Sequence, residues 1–273
     1  MVKKVFLNGK FIADGEAKIS VLSDGLLCGF GLFETMRSYK GNIVHLDWHL
    51  GRLKKSAKLF MLKLPADIEL RKAINKTVEL NGFADAYVRL TCWKGIERTD
   101  ISVIARRYTP FAEAVYRRGF HLYLSPIKQN EPLFLSRFKT TSRLLYEFLY
   151  QQAKDNGFDE VLILNSRGFV AEGSRSNLFI AKDKQIFTPG LTCGCLDGIT
   201  RKWVFAIARE HKINIYQVNI TLGDCYRSDE VFLTNSLMGI MPVTSIGPFV
   251  IAKGKVGNVT KSLIKKYNLL LKR

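Results

Sequence analysis

Tight turns set between short apolar runs constrain this chain most. Asn8-Gly9 separates Val5-Phe6-Leu7 from Lys10-Phe11-Ile12. Asn-Gly suits the positive φ of both central positions of a two-residue turn, so the segment predicts a β-hairpin. Lys40-Gly41-Asn42 stands in the same way between Thr35–Tyr39 and Ile43–Leu46, and Asn165-Ser-Arg-Gly168 between Val161–Leu164 and Phe169–Ala171. Further strands are predicted at Ala86–Trp93, Ser102–Ala105, His121–Ser125, Asn177–Lys182, Gln185–Thr188, Ile213–Ile220 and Glu230–Leu233.

Helical spacing interrupts this pattern at five places. Leu46, Leu50, Leu53, Ala57 and Phe60 mark one helix, with Asp47 as its cap. A second runs from Asp67 to the stop at Asn81-Gly82. A third spans Ser142–Asn156, with Leu144, Leu145, Phe148, Leu149 and Ala153 inward and Gly157 as its stop. The others run from Gly198 to His211 and from Val259 to Leu270. There is no internal repeat. The expectation is an α+β chain in two lobes: a small α/β N-terminal domain over 1–112, a linker at about 113–118 beside Pro110, and a larger strand-rich C-terminal domain over 119–273.

Hydrophobic residues make up 47% of the chain, enough for a sizeable core. No apolar run approaches the ~20 residues of a membrane span. The first residues show no cleavable leader, so the cytoplasm is the expected compartment. The formal charge of +18 raises nucleic acid as a partner, but the lysines and arginines are spread through both halves without a nucleic-acid signature. Attraction of a small anionic substrate is the better reading of the charge. Five cysteines, odd in number and scattered, read as reduced thiols, and Cys193-Gly-Cys195 lacks the further ligands of a metal site.

Four features draw attention chemically. Lys139 lies between a strand and a helix, where burial would turn it into a nucleophilic amine. Glu172 follows a strand end and precedes the polar loop Gly173-Ser-Arg-Ser176. Gly198-Ile199-Thr200 offers backbone N–H groups and a hydroxyl at a helix start, a seat for phosphate. Arg52 lies on the polar stripe of its helix and suits a phosphate clamp. Taken alone, Lys139 reads better as an ordinary surface lysine, Glu172 as a capping or surface acid and the helix start as a seat for water or its own cap, with a surface ion pair the plain reading of Arg52.

Taken in order, larger blocks carry a resemblance. Gly29-Phe-Gly-Leu-Phe-Glu-Thr-Met-Arg37, His49-Leu-Gly-Arg-Leu53, Lys139-Thr140, Gly157-Phe-Asp-Glu160, Val170-Ala-Glu-Gly-Ser174, Ser176-Asn-Leu-Phe179, Thr188-Pro189, Gly198-Ile-Thr-Arg201 and Asp229–Ser236 are similar to the class IV pyridoxal-phosphate aminotransferase family. The resemblance implies a fold-type IV enzyme holding pyridoxal 5′-phosphate between its two domains, and a homodimer with the active site near the subunit interface. It maps the family's cofactor-linked lysine to Lys139. It maps the phosphate ligands to Arg52, Ile199, Thr200, Asn235 and Ser236, and the carboxylate at the ring nitrogen to Glu172.

Within the family, three features lean towards the aminodeoxychorismate lyases, which form p-aminobenzoate for folate. These are Leu144 where branched-chain aminotransferases usually carry tyrosine, the segment Asn235-Ser-Leu-Met238, and Thr35 in Phe33-Glu-Thr35. The expected reaction releases pyruvate from 4-amino-4-deoxychorismate, with Thr35 assisting the leaving group and Arg98 holding a substrate carboxylate. Transamination of branched-chain or D-amino acids is the alternative. Phe30 stands where many relatives have aspartate.

Overall fold

The turn at Asn8-Gly9 forms as its residues demand: φ is 48° and 89° at the two positions. Strands β1 (Lys4–Leu7) and β2 (Lys10–Ala13) therefore pair directly, Leu7 opposite Lys10. The computed structural model describes residues 2–130 and 134–271. The chain divides into two units, Met1–Thr109 with Phe138–Ser142, and Pro110–Arg137 with Arg143–Arg273.

In the first unit the hairpin is followed by α1 (Asp24–Leu27), β3 (Gly31–Tyr39), β4 (Asn42–Ile43), α2 (Leu46–Leu59), α3 (Asp67–Leu80), β5 (Ala86–Lys94) and β6 (Thr99–Arg107). The strands form one sheet in the order β2-β1-β6-β5-β3-β4. Alternation sends Leu32, Met36, Val88, Leu90, Val103 and Ala105 to one face, where α2 and α3 cover them with Leu50, Leu53, Leu70, Ile74 and Val78. Phe33, Thr35, Arg37, Tyr87, Arg89 and Thr91 alternate with these and point to the other face. The cap expected at Asp47 is displaced. The helix begins at Leu46, His45 holds the cap position at a φ of 55°, and Asp47 lies inside the first turn, where its charge still suits the helix dipole.

Residues 138–142 belong to this unit because they pair with the open edge of β3. Leu32 stands opposite Thr140 in an antiparallel bridge. The Phe33 N–H donates to the Lys139 carbonyl, and the Thr141 N–H to the Gly31 carbonyl, both at 2.9 Å. A side chain at Gly31 would meet Thr141 Oγ1 at 2.8 Å and the Cys92 carbonyl at 3.1 Å, so glycine is what lets the strap lie this close. The same alternation directs Lys139 to the face of Phe33 and Phe138 to the face of the helices, where it packs edge-on against Phe60.

The second unit opens with α4 (Glu113–Arg118), a helix where the linker was expected, closed by Gly119 at a φ of 78°. It continues through β7 (Phe120–Leu124), α5 (Leu144–Asp155), β8 (Glu160–Leu164), β9 (Val170–Gly173), β10 (Asn177–Lys182), β11 (Gln185–Pro189), α6 (Ile199–Glu210) and β12 (Ile215–Val218). It ends with α7 (Leu222–Tyr226), β13 (Glu230–Asn235), β14 (Gly239–Ile246), β15 (Phe249–Val250) and α8 (Asn258–Leu271). The sheet runs β12-β11-β10-β13-β14-β7-β8-β9, with β15 on β14. Strands β8, β10 and β13 are buried almost throughout, so they read as apolar runs rather than alternations.

Two expectations change here. Helix α5 exists, but its phase differs: Leu149 and Ala153 are buried with Tyr146 beside them, whereas Leu144 is 85% exposed and Leu145 and Phe148 are exposed too. β14 was not foreseen because Pro242 argues against a central strand. It sits opposite Phe232 on β13, and the register shifts between Val243 and Ser245 where β14 meets β7.

Replacing Gly31 by alanine should push the strap off β3. Denaturant unfolding should show a loss of about 1–3 kcal/mol, and amide exchange should rise first at Phe33 and Thr141. Unchanged protection at both amides would contradict this placement.

Candidate active site

In the first unit the site is built on both faces of β3. On the face away from α2 and α3, the Lys139 ammonium lies 4.5 Å from the centre of the Phe33 ring. The Arg89 guanidinium stacks on the same ring at 3.7 Å. Thr35 is the cross-strand partner of Arg89, so these four residues form one group. Arg37 is next along the face, buried, 4.6 Å from the Tyr108 ring and opposite Tyr87. Neither Arg89 nor Arg37 was singled out from the sequence. The signal was available: alternation along β5 puts Arg89 on the face of Phe33, once the register of β3 against β5 is known.

On the other face, Glu34 is buried and gathers Arg52 and His49 from α2. Arg52 donates from Nε to Oε1 at 2.8 Å and from Nη2 to Oε2 at 2.6 Å. His49 Nδ1 lies 2.7 Å from Oε2. Burial pushes the Glu34 carboxyl up, but the charge of Arg52 and the hydrogen bonds of His49 and Arg52 outweigh it and bring it down to about 2. Burial lowers His49 below the usual imidazole range despite Glu34, so His49 is neutral. Its Nδ1 then carries the proton, because the ionised carboxylate can only accept.

Arg98, expected to hold a substrate carboxylate, is not brought to Lys139. Its side chain is 71% exposed at the turn between β5 and β6, 3.5 Å from Asp100. It lines a cleft with Pro65, Glu69 and Lys72 on the helix side of the sheet, the opposite side from Phe33 and Arg89. Phe30 is partly exposed and packs edge-on against Phe60.

In the second unit, Glu172 sits in β9 and is buried. Its Oε2 accepts from the Leu196 N–H at 2.9 Å, and its Oε1 lies 3.4 Å from the Tyr146 hydroxyl. Burial and the nearby Glu172 charge both raise the Tyr146 pKa, so Tyr146 is a neutral donor. Arg143 lies over the Tyr146 ring at 4.2 Å and donates to the Ser174 carbonyl. The next residues along the loop reach α6. Asn177 donates to the Leu196 carbonyl at 2.8 Å, and a side chain at Gly198 would run into the Asn177 amide oxygen. Ile199 and Thr200 occupy the first turn of α6, buried, with no acidic residue in that turn and no side-chain cap. Asn235 and Ser236 lie at the turn after β13, whose Thr234 pairs with Asn177. The unit therefore brings Glu172, Ile199, Thr200, Asn235 and Ser236 to one end of its sheet. The Asn235 amide oxygen accepts from the N–H groups of Leu237 and Met238 at 3.0 and 2.9 Å, so this side chain shapes its own turn.

Each unit supplies donors whose chemistry suits part of a phosphorylated pyridine aldehyde. A helix start with no acid inside its first turn, where Arg201 engages the preceding Asp197, suits a phosphate through its free N–H groups, as does a guanidinium. A buried carboxylate suits a ring nitrogen, and an amine suits an aldehyde. Among the described residues, no cluster of three metal-ligating side chains occurs. Cys195, with Cys193 beside it in the loop, is a buried thiol pushed up to about 12 by burial.

The sequence model of the amino-transferase class IV family matches residues 31–246. A Methanocaldococcus jannaschii protein provisionally named a branched-chain-amino-acid aminotransferase is 33% identical, covering 97% of this chain and 95% of its own. The aminodeoxychorismate lyase of Bacillus subtilis is 30% identical over 89% of this chain and 86% of its own. The T.th. branched-chain amino acid aminotransferase, solved with pyridoxamine 5′-phosphate, superposes with a TM-score of 0.93 at 30% identity, covering 99% of this chain and 94% of its own. No helix among the described residues is long and apolar enough to cross a membrane.

The Glu34 group has a pH signature. The carboxyl has a lower pKa folded than unfolded, so its contribution, on the order of 3 kcal/mol, is complete above about pH 4.5 and is lost as pH falls towards 2. His49 also has a lowered pKa, so stability starts to fall below 6.5, where the unfolded imidazole takes up its proton first. Melting temperature followed from pH 7 to 2.5 should drop in both windows. Glu34→Gln should be less stable at neutral pH and show a shallower loss below pH 4.5; parallel curves would remove Glu34 from the account.

Proposed function

We propose, from the premise that this chain belongs to the class IV aminotransferase family, that it transfers the amino group of branched-chain amino acids to a 2-oxo acid with pyridoxal 5′-phosphate as cofactor. The observation that carries the reading is the grouping of Lys139, Phe33, Thr35 and Arg89 on one face of a sheet. An amine for proton transfer, an apolar ring and a cation for a carboxylate are what an amino acid with an apolar side chain requires.

When bound, the cofactor supplies an electron-withdrawing ring that stabilises negative charge at the substrate carbon. The residues of the chain do the rest. Lys139 would hold the cofactor's aldehyde carbon through Nζ and, once free, would carry the proton from the substrate carbon to that aldehyde-derived carbon. Glu172 keeps a proton at the ring nitrogen, and the Leu196 N–H and Tyr146 hydroxyl orient its two oxygens. Arg52, the Ile199 and Thr200 amides, the Thr200 hydroxyl, Asn235 and Ser236 bind the phosphate. Arg89 binds a substrate carboxylate, the role first given to Arg98.

The relatives named branched-chain aminotransferases favour this reading over the lyase expected from the sequence. In the folded chain, two of the three features behind that expectation lose weight. Leu144 points to solvent, and Asn235 is engaged in its own turn. The lyase remains the second reading, on Thr35 beside Arg89 and on the Bacillus subtilis relative. The proposal includes a homodimer, supported by the exposed Ile19, Val21, Leu22, Leu26 and Leu27 on one short segment. It also includes a cytoplasmic setting, supported by five free thiols, of which Cys28 is exposed.

With L-leucine, L-isoleucine or L-valine and 2-oxoglutarate, multiple-turnover formation of glutamate is expected. Pyruvate release from 4-amino-4-deoxychorismate without an acceptor should be at least about tenfold slower, or ~1.4 kcal/mol in discrimination. The reverse ranking would favour the lyase. Lys139→Ala should abolish turnover with a wild-type circular dichroism spectrum. Arg89→Gln should raise KM for 2-oxoglutarate more than it lowers kcat; a normal KM would return the carboxylate role to another cation.

A further inference from the structure

Two neighbouring residues of β3 hold, on opposite faces, the two cations assigned to the two ends of the cofactor. The Phe33 N–H donates to the backbone of Lys139 at 2.9 Å, and its ring lies under the Lys139 ammonium. Glu34 grips Arg52 through both carboxylate oxygens. We propose that Glu34 is the positioning residue for cofactor phosphate: it sets the orientation of the Arg52 guanidinium before the phosphate arrives and does not itself touch the ligand. The inference rests on the cofactor assignment above.

Three observations support it. First, Glu34 is 1% exposed and both of its oxygens accept from Arg52, with His49 as a further donor to Oε2. A group so enclosed acts on a ligand only through a neighbour. Second, His49 and Arg52 are three residues apart on α2, so their side chains lie side by side, and one carboxylate engages both. Helix α2 is thereby locked in rotation against the strand that carries the Lys139 strap. Third, an ion pair taken out of water seldom stabilises a fold better than apolar residues of the same volume. Its presence on the buried face of β3 needs a reason beyond stability.

The physical gain is in preorganisation. A free arginine side chain has rotamer entropy to lose on fixing. A guanidinium held by its Nε–Nη2 edge has lost most of that freedom on folding, so phosphate binding does not pay it again. The bidentate grip needs a planar donor pair, which an ammonium lacks.

The test separates phosphate recognition from general damage. Apo-protein is titrated with pyridoxal 5′-phosphate and, separately, with pyridoxal, which has the ring and aldehyde but no phosphate, and binding is read from absorbance. Glu34→Gln should weaken binding of the phosphorylated form at least tenfold and leave pyridoxal within about twofold of wild type. Added to Arg52→Ala, it should cause little further loss, because both act through one guanidinium. Arg52→Lys, which keeps the charge and is less demanding on folding, should also lose at least tenfold for the phosphorylated form only, and it decides the matter if Glu34→Gln does not fold. Wild-type affinity in Arg52→Lys or Glu34→Gln overturns the proposal, as does an equal loss for both compounds or a fully additive double variant. Wild-type protein that binds neither compound would instead bring down the cofactor assignment, and this inference with it.

Discussion

The placing of Lys139 depends on a short stretch of antiparallel pairing. Two backbone hydrogen bonds hold residues 138–142 to the edge of β3 beside the Leu32–Thr140 bridge. Lys139 would otherwise be one of many lysines. Pairing gives it a register, and register in a sheet decides the face on which a side chain stands. One position of slip would turn Lys139 towards α2 and Phe138 towards the open face. Gly31 permits the close approach, and Phe138 against Phe60 anchors it on the helix side.

The buried acids show how differently the same group behaves in two settings. Glu34 and Glu160 are both enclosed. Glu34 faces the Arg52 guanidinium and is held ionised far below the ordinary carboxylate range. Glu160 faces hydroxyls and backbone N–H groups at Ser174, Ser176 and Val161, and burial raises its pKa despite them. The presence of a facing cation, rather than depth alone, decides the sign. Glu160 ties down the loop that follows Glu172, so each unit contains a carboxyl that organises chain next to a proposed cofactor ligand.

Selection between related reactions rests on smaller differences than the fold does. The roles proposed for the strap, the Glu172 strand and the start of α6 would serve any enzyme that binds this cofactor. In the proposed reading, the choice between an amino-acid donor and a cyclic enolpyruvyl substrate falls to residues on the Phe33 face. A non-aromatic residue at Leu144 carries little weight once its side chain faces solvent. An arginine stacked on Phe33 carries more, because it shares that ring with the amine proposed to move the proton.

Much of this was legible from the residues alone. The hairpin at Asn8-Gly9, the helix from Asp67 and the helix opening at Gly198 follow from local rules, because φ preference, capping and apolar period act within a few residues. The two-lobed α+β organisation follows from their sum, and the family from blocks in a fixed order. The phase of α5 did not follow: Leu144, Leu145 and Phe148 form as good an apolar stripe as Leu149 and Ala153, and only the strand packed against the helix selects one. Nor did β14, where neighbours on both sides override the cost of Pro242. The grouping of Arg89 with Lys139, and of Glu34 with Arg52, was out of reach for the same reason. Each joins residues distant in the chain through strand register and helix rotation, and those are settled only when whole faces are buried against each other.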